Sequence, residues 1–195
     1  MTLAVTQKNR KWLAQRDRDR AKPGTAGKDS TTGKRYVVYD NEVRVGGTRP
    51  WRNNNPGGLT KHPKFKNGSI GDDGKFWIYP NPKTGMQALR EEFQEYLKKM
   101  TIRSAITAHA PPNENPTEEY IKHVVEHINR KKTKSDVEGD VKDTTPIKNL
   151  KSPQMEALLE GITIEEGWTN VSVPKRTYTC AKDTPQRFRT LLGCK

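Results

Sequence analysis

The sequence predicts a mainly helical α+β protein with one or two small β-hairpins and a basic N-terminal tail. The strongest helical signal lies in 82–100, where apolar residues recur every three or four positions along one helix face. These residues are Met86, Leu89, Phe93, Leu97 and Met100. The clearest strand signal is 36–45, where two Tyr/Val-rich segments flank a turn at Asp40-Asn41.

Charge and composition limit the classes of protein. The chain has 36 Lys and Arg against 23 Asp and Glu, a net charge of +13, and only 31% hydrophobic residues. Residues 1–35 alone carry +7, so we expect a flexible basic tail there. No apolar run approaches the roughly 20 residues that a membrane span requires, and we expect neither membrane insertion nor a signal peptide.

The remaining elements follow from turn and capping residues. A second hairpin is expected over 65–79, with Gly71–Gly74 as its turn. Thr101 is expected to cap one helix, and either Asn115 or Thr117 the next. Ser152-Pro153 is typical of the start of a further helix.

We divide the chain into three parts on this basis. The expected domain spans 36–168 and contains a charged linker over 130–149. Residues 169–195 form a polar C-terminal extension with the chain's two cysteines, Cys180 and Cys194. Too few for a disulfide framework, these cysteines are expected either to form one disulfide or to remain as thiols.

The common cofactor and metal motifs are absent from the sequence. There is no Gly-rich phosphate loop, no nucleophile elbow and no zinc-protease signature. His123 and His127 share a helix face, but no third ligand accompanies them at a recognisable spacing. We therefore predict neither a metal nor a cofactor.

With metal and cofactor motifs absent, the catalytic chemistry that the sequence can still support is that of carboxylates. Cleavage of a glycosidic bond needs a carboxylic acid that is held in an apolar pocket and protonates the leaving oxygen. The segment 162–168 supplies Glu165 and Glu166 after apolar residues and before Gly167-Trp168. The spacing alone is more typical of two solvated carboxylates at a helix end than of a catalytic acid.

Several segments resemble phage virion and bacterial proteins allied to peptidoglycan hydrolases. They are Arg-Asn-Asn-Asn-Pro-Gly-Gly-Leu (52–59), the aromatic strand 74–79, the helix start 84–89, and the segments 110–115 and 117–124. The last is also similar to the Thr-x-x-Tyr-Val segment of lytic transglycosylase domains. Together the similarity covers roughly 49–168 and implies a lysozyme-like fold.

The order of the motifs departs from the lysozyme-like superfamily. Its catalytic Glu usually comes first, whereas Glu165-Glu-Gly-Trp168 follows the tyrosine-bearing helix, an order similar to a circular permutation. The Glu-x-Gly spacing favours Glu165 as the acid, with Glu166 as the alternative. The family pattern also has Asn where this chain has Gly58.

Further site residues follow from the resemblance. Asp73, or its neighbour Asp72, is a candidate for positioning an attacking water, and Glu114 is a second-choice acid. Candidates for binding sugar are Asn53, Asn54, Asn55, Trp77, Tyr120 and Trp168. Each also has a structural interpretation: turn former for the aspartates, loop-holding amide for the asparagines, and buried core for the aromatic residues.

The resulting hypothesis is an enzyme that cleaves peptidoglycan glycan strands, either a muramidase or a lytic transglycosylase. Without a signal peptide, it would reach the periplasm or cell wall in a phage particle, through a secretion machine such as type VI, or by lysis. Its partners would be peptidoglycan, a delivery component and, for an antibacterial effector, a cognate immunity protein. The alternatives are a non-catalytic virion, secretion-apparatus or glycan-binding protein and, ranked last, a nucleic-acid-binding protein.

Overall fold

The computed structural model describes residues 20–131 and 140–194 and has a helix-rich α+β architecture. The strands are β1 (Ala26–Lys28), β2 (Arg35–Val38), β3 (Val43–Gly46), β4 (Gly71–Asp72), β5 (Trp77–Ile78) and β6 (Lys175–Tyr178). The helices are α1 (Arg49–Asn53), α2 (Pro82–Glu91), α3 (Ile102–His109), α4 (Thr117–Arg130), α5 (Ser152–Glu165) and α6 (Gln186–Leu192). The predicted fold class, mainly helical with small hairpins, is confirmed. None of these helices is long and apolar enough to cross a bilayer.

The four-stranded sheet joins both ends of the described chain. Its strands are antiparallel in the order β1-β2-β3-β6, and the β2–β3 hairpin lies where the sequence predicts it. Valines on β2 and β3 pack against Phe188 and Leu192 of α6. Cys180 and Cys194, left open by the sequence, form a disulfide next to this packing.

Two predicted boundaries are therefore wrong. Ala26–Lys28, assigned to the flexible tail, is a strand because Arg35–Val38 supplies a partner with which its backbone pairs. The extension 169–195 likewise contributes β6 and α6 to the sheet unit. Residues 1–19 of the predicted tail lie outside the described residues.

The helical core is built by α2 to α5. Helices α4 and α5 pack against each other, with Gly161 on α5 facing Val124 on α4. Val141 and Ile147, predicted to lie in a linker, are buried in the same core. Residues 132–139 of that linker lie outside the part of the chain that the structure describes.

The long amphipathic helix predicted over 82–100 ends early. Helix α2 stops at Glu91, and a π-helical turn over Glu92–Tyr96 follows. Phe93 and Leu97 remain buried, whereas Met100 is 38% exposed. The extra residue in a π-turn shifts the helix face.

Local capping differs in detail from the predictions. Thr101 caps α3 through a capping box with Ser104, as predicted. At α4 the N-cap is Pro116, because the Thr117 hydroxyl donates to Ala110 O instead. Lys151 rather than Ser152 is the N-cap of α5. The second hairpin turns over 73–76, because Asp73 N donates to Phe76 O.

Candidate active site

A carboxylate and a histidine form a buried pair where the π-turn meets the end of α3. Glu92 is the first residue of the π-turn and His109 is the last residue of α3. The Nδ1 atom of His109 lies 2.9 Å from Glu92 Oε2, and the two side chains are only 4% and 6% exposed. Burial without such a partner would cost either group several kcal/mol, so each stabilises the other.

Glu166 extends this pair toward the surface. It follows directly after α5, and its Oε1 atom lies 3.6 Å from His109 Nε2. The hydroxyl of Tyr120, on α4, donates to the same Oε1 atom at 3.1 Å. We call Glu92, His109, Tyr120 and Glu166 the inner cluster; its members come from four different elements.

The charges of the inner cluster are coupled. Burial disfavours the imidazolium of His109, but the carboxylates of Glu92 and Glu166 outweigh it and raise the pKa of His109 to about 10. Burial, reinforced by Glu166, raises the pKa of Tyr120 well above its ordinary value, so its hydroxyl keeps the proton that it donates. With both carboxylates ionised the cluster carries a net charge of −1.

Two cavities meet at Gly58, close to this cluster. The acid cavity, of about 190 Å³, is lined by Arg49, Pro50, Asn55, Gly58, Phe76 and Glu166. A neighbouring cavity of about 340 Å³ also contacts Gly58 and includes Glu92, His109 and the aromatic residues Phe65 and Tyr96. Glu166, at 21% side-chain exposure, is the member of the inner cluster that reaches the acid cavity.

Gly58 is required at this point by its conformation and by its contacts. Its φ is +60°, a region that glycine and, less readily, asparagine adopt. A Cβ atom on Gly58 would lie 2.3 Å from Glu166 Oε2. Any side chain here would therefore displace the carboxylate.

The three asparagines of the Arg-Asn-Asn-Asn-Pro-Gly motif are all 1% exposed or less. Asn55 donates to Leu59 O and Trp77 O and accepts from Leu59 N. Asn54 is the left-handed C-cap of α1, and Asn53 donates to Asp73. Their amides thus hold the loop that carries Gly58, and only Asn55 also lines the acid cavity.

The two candidate aspartates are engaged in the β4–β5 turn. Asp73 is 7% exposed, forms an ion pair with Arg49 and accepts from the backbone of Phe76. Asp72 pairs with Lys61 at 2.9 Å, and this contact lowers the pKa of Asp72. Neither carboxylate lines the acid cavity.

The remaining candidates occupy varied positions. Glu114 is about half exposed, pairs with Lys75 and lies outside both cavities. Trp77 is a core residue whose indole donates to His62 O. Trp168 is partly buried after Gly167 and contacts neither cavity. Tyr120 combines both interpretations, since it is buried core and bonded to Glu166.

Glu165 belongs to a different surface. Its Oε1 atom lies 3.2 Å from Nδ1 of His123, which is 53% exposed. Nearby, His127 pairs with Glu160 at 3.1 Å. We call these four residues the outer cluster; Glu165 and both histidines line a separate cavity. No group of three or more acidic, His or Cys side chains within 20–131 and 140–194 could hold a metal ion.

Sequence reasoning missed Glu92 and His109. Glu92 lies four residues after Ala88 and three after Leu89, in line with the buried face of α2, but the periodicity of the sequence traces that face through its apolar residues alone. The available signal was the apolar surroundings of His109, which follows Ala105 and Ile106 and precedes Ala110. A histidine in such a segment is a candidate for a buried, partnered group.

Comparison with known proteins assigns no family to the chain. A scan against protein-family models matches none of them, and a search of curated proteins finds no significant match. The function of the protein is therefore inferred from the chemistry of the inner cluster and from the motifs in the sequence.

Proposed function

We propose that the protein cleaves the glycan strands of peptidoglycan, with Glu166 as the general acid. The observation that carries this proposal is the placement of Glu166. Its carboxyl group lines the acid cavity and is held from behind by Tyr120 and His109. Glu165, favoured by the sequence spacing, pairs with an exposed histidine on another surface.

The inner cluster contains one ion pair, His109 with Glu92, and one further carboxyl group, Glu166. When His109 is protonated, its charge is balanced by Glu92, and one further proton makes the whole cluster neutral. Glu166 is the member that contacts the acid cavity, so that proton is available to a bound ligand. Tyr120 and His109 are positioning residues, because they act through the Glu166 carboxyl.

The proposed reaction begins when Glu166 protonates the oxygen of the glycosidic bond. The bond from that oxygen to the anomeric carbon breaks, and the leaving sugar departs with the proton as an alcohol. Completion requires attack on the anomeric carbon by water or by a hydroxyl of the same sugar. Because Glu166 is the one carboxylate among the described residues of the acid cavity, we favour internal closure, in which the attacking hydroxyl returns its proton to the Glu166 carboxylate and no second carboxylate is needed.

The cavity walls suit an amino sugar that carries a carboxylate. Arg49 lies over the ring of Phe76, 4.4 Å from its centroid, and both line the acid cavity. An aromatic face can stack on a sugar ring. The Nε atom of Arg49 pairs with Asp73, so it is the terminal N–H groups of the guanidinium that would bind the lactyl carboxylate of muramic acid. These features support peptidoglycan over a neutral polysaccharide as the substrate.

The proposal extends to delivery. The protein would act in the periplasm or cell wall after transfer by a phage particle, a type VI machine or lysis. As an antibacterial effector, it would pair with an immunity protein that covers the acid cavity. Both ideas depend on the enzymatic activity and follow from the sequence resemblance.

The test is mass spectrometry of fragments released from purified sacculi by wild type and by Glu166→Gln. We expect anhydromuramyl ends from wild type and none from the variant, with unchanged circular dichroism of the variant. Reducing muramic ends would instead indicate a hydrolysing muramidase. If wild type releases nothing from sacculi that a control lysozyme digests, the enzymatic proposal fails and a non-catalytic glycan-binding role replaces it.

A further inference from the structure

We propose that a cavity in the sheet unit binds phosphate groups of an anionic, phosphodiester-linked cell-wall polymer. This basic cavity has a volume of about 300 Å³ and lies between the sheet and α6. It is lined by Asp29, Thr32, Lys34, Val45, Pro174, Lys175, Arg176, Tyr178, Arg187 and Phe188. It shares no residue with the acid cavity and represents a second, separate site.

The lining is cationic because its single acid is already neutralised. Asp29 has a side chain only 1% exposed, and its Oδ1 atom lies 2.8 Å from Arg187 Nε. The other Asp29 oxygen accepts from Arg187 Nη2 at 3.1 Å and from the Thr32 hydroxyl. This leaves Lys34, Lys175 and Arg176, all exposed, as the net charge around the cavity.

Positive charge is concentrated in the same part of the described chain as the basic cavity. The described sheet unit, 20–46 and 169–194, has eleven basic and four acidic residues, a net charge of +7. The described helical unit, 47–131 and 140–168, has seventeen basic and fifteen acidic residues, a net charge of +2. A field of one sign concentrated on the smaller unit attracts anions to it.

The surroundings favour a polyol phosphate over a nucleic acid. Proteins that bind single strands stack bases on available aromatic rings. Here the rings of Tyr178 and Phe188 stack on each other, with centroids 4.8 Å apart, and Phe188 is 1% exposed. Lysine and arginine around a single ring that is already stacked on one face suit the phosphate groups of a flexible chain.

The basic cavity is observed independently of the proposed function. The choice of a wall polymer among possible polyanions, however, rests on the proposed function. Binding to the basic cavity would hold the enzyme on the wall while the acid cavity cleaves. Loss of the anion site should therefore leave cleavage of polymer-free sacculi unchanged. The two proposals can fail separately.

The experiment measures binding of purified poly(glycerol phosphate) to Lys34→Gln/Arg176→Gln. Both residues line the cavity, and neither contributes to the buried Asp29–Arg187 pair. The matched control is Lys66→Gln/Lys122→Gln, which removes the same charge from exposed positions of the helical unit. A single-stranded oligonucleotide with the same number of phosphates is the competing probe.

We expect the cavity variant to lose about tenfold or more in affinity and the control less than about twofold. We also expect a shallow salt dependence, with a slope in log K of about −1 to −2, because only one or two phosphates are neutralised. An equal loss in both variants would overturn the site and leave only net charge as the cause. Tighter binding of the oligonucleotide than of the polymer would overturn the choice of ligand.

Discussion

The inner and outer clusters each combine histidine and glutamate side chains near helices α4 and α5. The adjacent residues Glu165 and Glu166 are divided between them, with Glu166 in the inner cluster and Glu165 in the outer cluster. In the inner cluster His109 and Glu92 are 4% and 6% exposed. In the outer cluster His123 and Glu165 are 53% and 26% exposed at a similar separation of 3.2 Å. The same pair of residue types is therefore buried at one place and solvated at the other.

The difference teaches that spacing alone does not identify an acid. Exposed ion pairs contribute about 0–1 kcal/mol, because water screens them and both side chains lose freedom. A buried pair fixes its charges, since removing one partner strands the other in a medium of low polarity. Glu166 and Glu165 are similarly exposed, at 21% and 26%, but the partners of Glu166, His109 and Tyr120, are buried, whereas His123, the partner of Glu165, is 53% exposed.

The largest expected effect on stability comes from breaking the buried pair. His109→Gln leaves the Glu92 carboxylate without its cation, and we expect a loss of about 3–5 kcal/mol in the free energy of unfolding. His123→Gln, the matched change in the outer cluster, should cost no more than about 1 kcal/mol. Urea denaturation of both variants measures the contrast. Equal losses in the free energy of unfolding would contradict the distinction between a buried pair in the inner cluster and a solvated pair in the outer cluster.

The next effect concerns the glycine that touches the acid. In Gly58→Ala the new methyl group would meet Glu166 Oε2, so the carboxyl must move. We expect release of sacculus fragments to fall about 10²-fold, as for a misplaced catalytic group.

Gly74→Ala provides the matched control for this change. Gly74 also has a positive φ, +99°, but a Cβ atom on it would meet no other atom within 4 Å in the described part of the chain. It should suffer the backbone strain and keep its activity within about twofold. If Gly74→Ala loses as much activity as Gly58→Ala, contact with Glu166 is not the cause.

The last prediction concerns the dependence of stability on pH. The folded-state pKa of His109, about 10, lies above its ordinary value of 6.5. A raised pKa means that the stabilisation is complete below about pH 6.5 and is lost as pH rises through about 10. Wild type should therefore lose stability relative to Glu92→Gln/His109→Gln, which lacks both charges, as the pH rises from about 6.5 to about 10. A constant difference between pH 6 and 10 would contradict the charged pair.

Much of the architecture was predictable because it depends on local patterns. The β2–β3 hairpin and the start of α3 follow from alternation and capping at 36–45 and Thr101. The π-turn over Glu92–Tyr96 was not, because the apolar spacing through Phe93 and Leu97 is also that of a continuous α-helix. The first residue of that turn, Glu92, is one of the four members of the inner cluster.

Tertiary pairing explains the other misses. Ala26–Lys28 has little strand signal of its own and becomes a strand because β2 is beside it. Likewise, the sequence places Glu165 and Glu166 together at one helix end, but only the packing of α4 on α5 decides which one meets Tyr120. The sequence therefore directs attention to both glutamates, and the fold supplies the contacts on which we choose Glu166 as the proposed acid.

The central claim is that Glu166, and not its neighbour, is the acid. Its most direct test compares the initial rates at which wild type, Glu166→Gln and Glu165→Gln release soluble fragments from purified sacculi, with circular dichroism as a check on folding. We predict a loss of about 10²–10⁴-fold for Glu166→Gln and less than about threefold for Glu165→Gln. Full activity of Glu166→Gln, or a loss confined to Glu165→Gln, would contradict the assignment.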